Sequence, residues 1–270
     1  AAFSFALLIS ALIGPYAGQA IDRWGGRPIL LVTNLVFALG LGWLGSVHST
    51  VGLFAAWALL GVGMGSGLYE AAFASLVALY GKDSRNAISG ITLIAGFAST
   101  VGWPLSNYLE THIGWRGACF AWAGLHVFLA LPLNSLLPST SPLGVRPVQH
   151  QVTENATSSR ESTRNSILLA IVFAATWFIS TAMAAHLPRL LMSAGVTLAA
   201  AVAAGALVGP AQVGARLLEL GVLRRIHPML SARLAALAHP IGAVIFLALG
   251  APLVSVFVLL HGAGNGIMTI

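Results

Sequence analysis

The stretch GPYAGQAIDRWGGRP, residues 14–28, closes one apolar run with a short basic turn, and a second apolar run follows at once. Its glycines and charged residues after Pro15 are Gly18, Asp22, Arg23, Gly25, Gly26 and Arg27. A turn this short between two helices needs Gly where the backbones crowd and where φ must become positive. Arginines collect on the cytoplasmic side of membrane proteins. We therefore predict two membrane helices joined by a cytoplasmic turn, with Asp22 at a helix end.

The composition is that of a protein embedded in lipid. Hydrophobic residues make up 57% of the chain and charged residues only 7%, whereas a soluble domain carries about 25% charged residues. The mean hydropathy is +0.88. With so few charges, nearly every helix must lie in the bilayer, and the net charge of +6 indicates membrane topology rather than a nucleic-acid surface. The lipid bilayer is thus an expected partner, and nucleic acid is not.

The chain divides into apolar runs of membrane length, since about 20 helical residues cross a bilayer. We predict nine such spans, at residues 1–20, 29–47, 51–80, 87–109, 117–137, 167–187, 195–218, 231–250 and 252–270. Alternating them from the cytoplasmic turn places all of the 13 Lys and Arg residues except Arg116 and Arg189 in inside loops or at inside span ends. This asymmetry supports the orientation.

Residues 138–166 differ from the rest because they are polar and rich in Pro, Ser and Thr. Such a segment cannot bury enough apolar surface to order itself. We predict a disordered cytoplasmic linker between two helical bundles. The chain begins and ends inside apolar runs, so we expect it to be a fragment.

An internal repeat indicates that the two bundles are duplicates. Ala11-Leu-Ile-Gly-Pro15 recurs as Ala206-Leu-Val-Gly-Pro210, and Gly61-x-Gly63-x-Gly65 recurs as Gly262-x-Gly264-x-Gly266. The first register places Leu217 and Leu218 at the positions of Asp22 and Arg23. Halves that repeat in the same orientation are typical of transporters.

The turn resembles the loop signature G-x-x-x-D-R-x-G-x-R of the major facilitator superfamily, through Gly18, Asp22, Arg23, Gly25 and Arg27. The resemblance implies an all-α fold of two parallel-repeat bundles, of which this chain would hold about the second to tenth membrane helices. Its parts would be an N-terminal bundle at 1–137 lacking the first helix, the linker at 138–166, and a C-terminal bundle at 167–270 lacking the last two helices. In the family this loop stabilises a closed cytoplasmic state, so these five residues are expected to form a cytoplasmic gate.

Glu70 is the only acidic residue well inside an apolar span. Intramembrane ionisable groups are costly and usually face a water-filled path. Gly63 and Gly67 share its helix face, which predicts that Glu70 points into the bundle. We expect a proton-carrying role, and the alternative is a protonated carboxyl that hydrogen-bonds between helices.

His261, Asn265 and Thr269 follow one another at intervals of four on the last span, which makes a polar stripe in an apolar helix. Lipid would penalise that stripe, so it should point inward. Substrate binding and hydrogen bonding between helices both remain open for it.

Two further residues are weaker candidates. Trp103, in Gly102-Trp103-Pro104, is expected to line the cavity; this motif and the later Gly114-Trp115-Arg116 resemble bacterial monocarboxylate-porter relatives. His186 lies near the outer end of its span, where a gate or substrate role competes with a plain interfacial one. His126 and His239 are mid-span, and the resemblance places their helices facing lipid, so we expect them to be structural.

These observations predict a secondary active transporter of a small solute, coupled to protons and working by alternating access, in a cell membrane and in bacteria the inner membrane. No nucleophile–base set, metal spacing or cofactor fingerprint is present in the sequence, so we expect no enzyme activity, no metal and no cofactor. A drug or toxic-compound efflux antiporter is one alternative. Drug/proton antiporters of this superfamily carry an Arg in the helix that matches the 51–80 span, and this span has none. A non-transporting sensor or assembly protein on the same scaffold is another.

Overall fold

A computed structural model describes residues 1–138, 159–221 and 228–268, and within these ranges the chain is helical. The helices are α1 Ala2–Trp24, α2 Gly26–Ser46, α3 Thr50–Gly67, α4 Tyr69–Tyr80, α5 Ser84–Gly96, α6 Ala98–Leu125, α7 Leu131–Ser135, α8 Ser159–Ser193, α9 Leu198–Gly221, α10 Pro228–Leu249 and α11 Val254–Met268. Short 3₁₀ turns precede α5 and α11, and a π-helical turn at His126–Ala130 follows α6. Some side chains inside the helices, including that of Glu70, lie outside the described part.

The helices are long and apolar enough to cross a membrane in eight stretches of the described chain. One of these, Ser84–Ser135, has 52 residues and would extend about 78 Å as a straight helix, more than twice the ~30 Å hydrocarbon core. It breaks at Gly114, where φ is 71° and ψ is 167°. If this stretch crosses the membrane twice, the eight stretches of the structure correspond to the nine spans predicted from the sequence. The chain is therefore an all-α, multi-pass membrane protein, as predicted.

Contacts divide the chain into two compact units. The first comprises Ala1–Ile88 and Tyr108–His150, and the second comprises Ser89–Asn107 and Gln151–Ile270. In the first unit α3 packs along α1 and α2. In the second unit α11 packs along α9 and α10, and α8 contacts α9 and α11. Residues 89–107, expected in the N-terminal bundle, thus pack with the second unit.

The second unit holds a continuous apolar core contributed by α8, α9, α10 and α11. Phe246 stacks on Phe257 with ring centroids 5.0 Å apart. The other buried members of this cluster are Leu187, Leu191, Ala201, Ala204, Val208 and Val258. This core fixes the rotation of α10 and α11, which carry the buried polar residues described below.

Glycines let α3 approach α1, and α11 approach α9, in the same way. A Cβ on Gly61 would lie 2.5 Å from the carbonyl oxygen of Ala6, and one on Gly262 would lie 2.8 Å from that of Val208. One turn further along each helix, a Cβ on Gly65 would lie 2.6 Å from the carbonyl oxygen of Ser10, and a Cβ on Gly266 would lie 2.5 Å from that of Gln212. The predicted recurrence of the glycine motif is therefore confirmed as duplicated packing.

This packing corrects part of the predicted repeat register. Ala6 corresponds to Val208 and Ser10 to Gln212, so Ala206–Pro210 corresponds to residues 4–8 and not to Ala11–Pro15. The interpretation that Leu217 and Leu218 replace Asp22 and Arg23 is wrong for the same reason. Small residues recur often in membrane helices, so a five-residue match sets no register. The packing register places Arg224 and Arg225 there, and both lie outside the described residues.

Most of the predicted linker at 138–166 lies outside the described residues. Its last part is helical, because α8 begins at Ser159. The apolar span predicted at 167–187 continues a charged helical stretch that includes Arg164, whose side chain is exposed. Arg164 therefore lies just before the apolar part of α8, where a basic residue is expected at the cytoplasmic end of a membrane helix.

We expect Gly61→Ala to destabilise the first unit, because the added Cβ meets the α1 backbone, which cannot move aside without shifting the whole helix. Overpacking of this kind costs about 1–3 kcal/mol. Gly42→Ala on α2 is the matched control, since nothing lies within 4 Å of its Cβ position and Ala is the better helix former. Unfolding by a denaturing detergent would measure both; equal stability of the two variants would contradict the packing account.

Candidate functional site

The turn between α1 and α2 has the geometry that its glycines predict. Gly25 has φ 83° and ψ 164°, a conformation essentially restricted to Gly, and its N–H donates to the carbonyl of Ile21 at 2.8 Å. A side chain on Gly26 would overlap Ser75 of α4. The prediction that these positions need Gly for positive φ and close approach is confirmed.

The other residues of the expected gate lie around this turn. Asp22 and Arg23 are exposed in the last turn of α1, and the Arg23 guanidinium lies 5.5 Å from the Trp24 ring centroid. Arg27 is half-buried at the start of α2, and the Cβ position of Gly18 is open. Asp22 is therefore at a helix end, as predicted, and its carboxylate is available at the surface of the unit.

Glu70 lies beside a break in the third predicted span. α3 ends at Gly67, Leu68 has φ −86° and ψ −161°, and α4 begins at Tyr69. The backbone of Glu70 thus belongs to the first turn of α4, while its side chain lies outside the described residues. The first turn of a helix favours a negative charge, because the free N–H groups and the helix dipole point there. On the α2 side, the Thr33 hydroxyl lies 2.9 Å from the Ser66 hydroxyl, near the end of α3.

A chain of polar side chains runs through the second unit from α8 to α10. The Ser180 hydroxyl on α8 hydrogen-bonds to Asn265 Oδ1 on α11. Asn265 Nδ2 lies 3.3 Å from His261 Nε2. His261 Nδ1 in turn lies 3.0 Å from His239 Nδ1 on α10. The sequence-predicted pair His261 and Asn265 therefore lies within one hydrogen-bonded polar chain.

Both imidazoles of this chain are buried within otherwise apolar helices. His261 is 4% exposed and His239 is 5% exposed, which agrees with the inward orientation predicted for His261. The nitrogen His239 Nε2 is buried, and no described residue hydrogen-bonds to it. The third member of the predicted stripe, Thr269, lies outside the described residues.

Arg216 is a buried cation that connects three helices of the second unit. Its residue is 1% exposed, its Nε donates to the Gly266 carbonyl on α11 at 3.2 Å, and its Nη1 donates to the Thr92 carbonyl on α5. Burial of a guanidinium requires such partners. Arg216 therefore anchors α9 to α5 and α11.

Trp103 packs against α9. A Cβ on Gly205 would lie 3.1–3.3 Å from the Trp103 indole atoms, and Trp103 is half-buried. One turn away, the Thr100 hydroxyl donates to the Ala206 carbonyl at 3.1 Å. These contacts pack α6 against α9. His186, by contrast, is exposed on α8.

The first unit holds a smaller buried polar pair. His126 Nδ1 lies 2.9 Å from Asn34 Oδ1, and the His126 ring stacks on Phe37 with centroids 5.0 Å apart. His126 begins the π-helical turn after α6, and such turns often mark functional sites. This pair shows that His126 lies against α2.

Sequence reasoning missed His239, Arg216 and Asn34. The expectation that His239 is structural rests on the resemblance alone, although the cost of an ionisable group in a membrane applies to it as much as to Glu70. Arg216 stands near a predicted span end, where an arginine is typical of the cytoplasmic side of a membrane helix. Among the described residues, no three His, Cys, Asp or Glu side chains cluster closely enough to hold a metal.

The comparisons with known proteins agree with this geometry. A crystal structure of a D-xylose–proton symporter matches 99% of this chain and 69% of its own, with a TM-score of 0.62 at 15% identity. Multidrug resistance protein fnx1 of Schizosaccharomyces pombe is 31% identical over 113 residues, 42% of this chain and 21% of that protein. Monocarboxylate transporter 11 of Mus musculus is 27% identical over 135 residues, 50% of this chain and 30% of that protein.

The chain spans less than a third of the length of these two curated relatives. The weaker resemblance to monocarboxylate porters is consistent with the mouse relative. The family profile described as the Major Facilitator Superfamily matches residues 1–270. The resemblance carried by the turn at Gly18–Arg27 is thereby confirmed, and the chain belongs to the Major Facilitator Superfamily.

Proposed function

We propose that the protein is a secondary active transporter of a small solute that is coupled to protons and works by alternating access. The observation that carries the proposal is the buried polar chain from Ser180 to His239. Polar and ionisable side chains inside membrane helices are costly and are retained mostly where they serve a pathway. The duplicated glycine packing supports two repeats that can move against each other about a central site.

Within this proposal, Glu70 carries the coupling proton, and His261 and Asn265 contact the solute. The helix break at Leu68 supports a functional position for Glu70, because broken membrane helices form the substrate and ion sites of many transporters. The turn residues Asp22 and Arg23, with Gly18, Gly25 and Arg27, form the gate of the cytoplasmic closed state. Trp103 and His186 are secondary candidates for the solute path. The bundles 1–137 and 167–270, joined by the linker 138–166, are the moving parts.

A small monocarboxylate is the first substrate class to test. One of the relatives reported above is named a monocarboxylate transporter. The name of the multidrug resistance relative keeps efflux of a drug or toxic compound as the alternative. A sensor or assembly protein on the same scaffold would need neither Glu70 nor a solute. The expected location is a cell membrane, in bacteria the inner membrane.

Uptake into proteoliposomes tests this proposal. With an inward proton gradient, we expect labelled small monocarboxylates to accumulate above their external concentration, and a protonophore should abolish that accumulation. Liposomes without protein supply the control, because weak acids also cross lipid unaided. Proton-driven expulsion of a preloaded cationic drug would instead favour the efflux alternative. Absence of both fluxes, with exchange also absent, would contradict transport.

A further inference from the structure

One buried ring nitrogen in the second unit stands apart from the hydrogen bonding around it. His239 Nε2 is enclosed within the unit and has no hydrogen-bond partner among the described residues. Its other nitrogen, Nδ1, lies 3.0 Å from Nδ1 of His261. Two imidazole nitrogens at this distance share a single proton, because a pair with two protons or none would repel. The state of His239 is therefore tied to that of His261.

The hydrogen bonds of the polar chain can donate in either of two directions. The two directions differ in whether one proton must serve two acceptors. If Ser180 donates to Asn265 Oδ1, the same hydroxyl proton also faces the Thr176 carbonyl 2.9 Å away. One proton then serves two acceptors. Because an amide's oxygen and nitrogen are assigned from such networks, the reversed amide is equally admissible.

In the reversed direction no proton of the chain is shared between two acceptors. His239 donates from Nδ1 to His261, His261 donates from Nε2 to the Asn265 oxygen, and Asn265 donates to Ser180, whose hydroxyl donates to Thr176. His239 Nε2 is then a bare lone pair inside the protein. A buried acceptor without a donor is costly, and a proton can bind to this lone pair without breaking any hydrogen bond of the polar chain.

We propose that His239 Nε2 is a proton-binding site. Its protonation fixes the direction in which the hydrogen bonds of the polar chain donate, from His239 toward Ser180. One proton enters, one N–H bond forms, and the positive charge stays on the His239 ring. A protonated His239 has N–H groups on both nitrogens, so it can only donate to His261. His261 must then present its own proton to Asn265, and Asn265 must turn its oxygen toward His261.

The proposal deepens the proposed function and rests on it, because Asn265 and His261 are the residues proposed to meet the solute. Without the proton, Asn265 can present either its oxygen or its amine to a neighbour. With the proton, its orientation is fixed. Protonation on α10 is thereby linked to the hydrogen-bonding pattern offered on α11, which is one physical form of coupling between a proton and a solute.

His239 Nε2 lies close to the backbone of α11 at Gly264, where a larger residue would meet the imidazole ring. A Cβ on Gly264 would lie 2.8 Å from His239 Nε2 and 2.9 Å from the Ala235 carbonyl oxygen. In the first unit, a Cβ on the equivalent glycine, Gly63, would lie 3.0–3.2 Å from the Phe37 ring. An aromatic ring thus occupies this position in both repeats, but only the ring at 239 can bind a proton.

Few charges surround the pair. Among described side chains on α10, α11 and the helices packed against them, the charged and titratable groups are Arg233 on α10, Arg216 and Glu219 on α9, and Arg164, His186 and Arg189 on α8. Only Arg216 and Glu219 are not exposed. Arg216 is engaged with the Gly266 and Thr92 carbonyls. The proton on His239 would therefore be held chiefly by the hydrogen-bonded chain itself.

The test is a pH titration of ¹⁵N-histidine-labelled protein in lipid nanodiscs, followed by NMR. We expect the His239 Nε2 resonance to change from an acceptor to a protonated nitrogen, and the His261 nitrogens to respond in the same transition. His239→Phe should remove one titrating proton per chain and the response at His261, while keeping the fold, since Phe37 fills the equivalent place. His239→Gln, which hydrogen-bonds but cannot take up a proton in this range, is the second variant. His186→Phe is the matched control and should leave the titration of the pair unchanged.

The outcomes separate this site from the proposed function. A His239 Nε2 that keeps one protonation state throughout the titration overturns the proposal, even if the wild-type protein accumulates solute with a proton gradient. A titrating pair in a protein whose solute flux moves no protons leaves the site standing and refutes proton coupling. Persistence of the His261 response in both His239→Phe and His239→Gln also overturns the proposal.

Discussion

Arg216→Met is expected to cost about 3–6 kcal/mol of unfolding free energy, because two hydrogen bonds from a charged donor, each worth about 1.5–3 kcal/mol, are lost. The guanidinium is 1% exposed and donates to carbonyls on α5 and α11. Methionine fills similar space but offers no donor. Since whole domains are stable by only about 5–15 kcal/mol, this single change should bring the second unit close to unfolding.

Two further variants separate hydrogen bonding from charge. Arg189→Met removes an exposed arginine on α8 and should change stability by about 0.5 kcal/mol or less. Arg216→Lys keeps the positive charge, but an ammonium is a point donor that cannot replace the planar fork of Arg, so it should fall between wild type and Arg216→Met. Unfolding curves in a denaturing detergent supply the free energies. An Arg216→Met protein as stable as Arg189→Met would show that Arg216 does not anchor the three helices.

Glu70→Gln is expected to abolish gradient-driven accumulation while exchange of solute across the membrane continues. A pH difference of one unit across the membrane supplies about 1.4 kcal/mol per proton, which supports roughly tenfold accumulation of a monocarboxylate that enters with one proton. Glutamine cannot take up that proton, so the concentration ratio should fall to about one. In the proposed mechanism, solute binding and the rocking of the repeats do not require the carboxyl, and exchange measures them separately.

Glu110→Gln is the matched control, because Glu110 is exposed on α6 and its loss should leave accumulation intact. Accumulation and exchange are measured in the same proteoliposomes with labelled solute inside or outside. Full accumulation by Glu70→Gln would remove the proton role from Glu70. It would then leave His239 as the remaining proposed proton site.

The sequence was sufficient for the fold because the bilayer imposes simple patterns. Apolar runs of about 20 residues, basic residues on one side and glycines at a tight turn follow directly from lipid thickness, topology and backbone sterics. Gly25 and the motif at Gly61–Gly65 were identifiable because Gly alone tolerates those backbone positions. These features need no knowledge of which helix lies beside which.

The site was less predictable because it depends on partners in space. An isolated His in an apolar span indicates burial, but the rotation of α10 and α11 decides that His239 meets His261. Arg216 looks the same in sequence whether it faces headgroups or a buried carbonyl. The sequence alone could not determine the register of the repeat. Gly, Ala and Pro recur so often in membrane helices that a short match such as Ala206–Pro210 does not identify equivalent residues.

The measurement that tests proton coupling most directly is solute-driven proton movement. Proteoliposomes holding a pH-sensitive dye, with no gradient imposed, receive a small monocarboxylate outside, and protein-free liposomes give the background from passive entry of the acid. Coupled uptake predicts protein-dependent acidification of the lumen that Glu70→Gln abolishes. Protein-dependent entry of labelled solute with no change in lumenal pH beyond that background would contradict proton coupling.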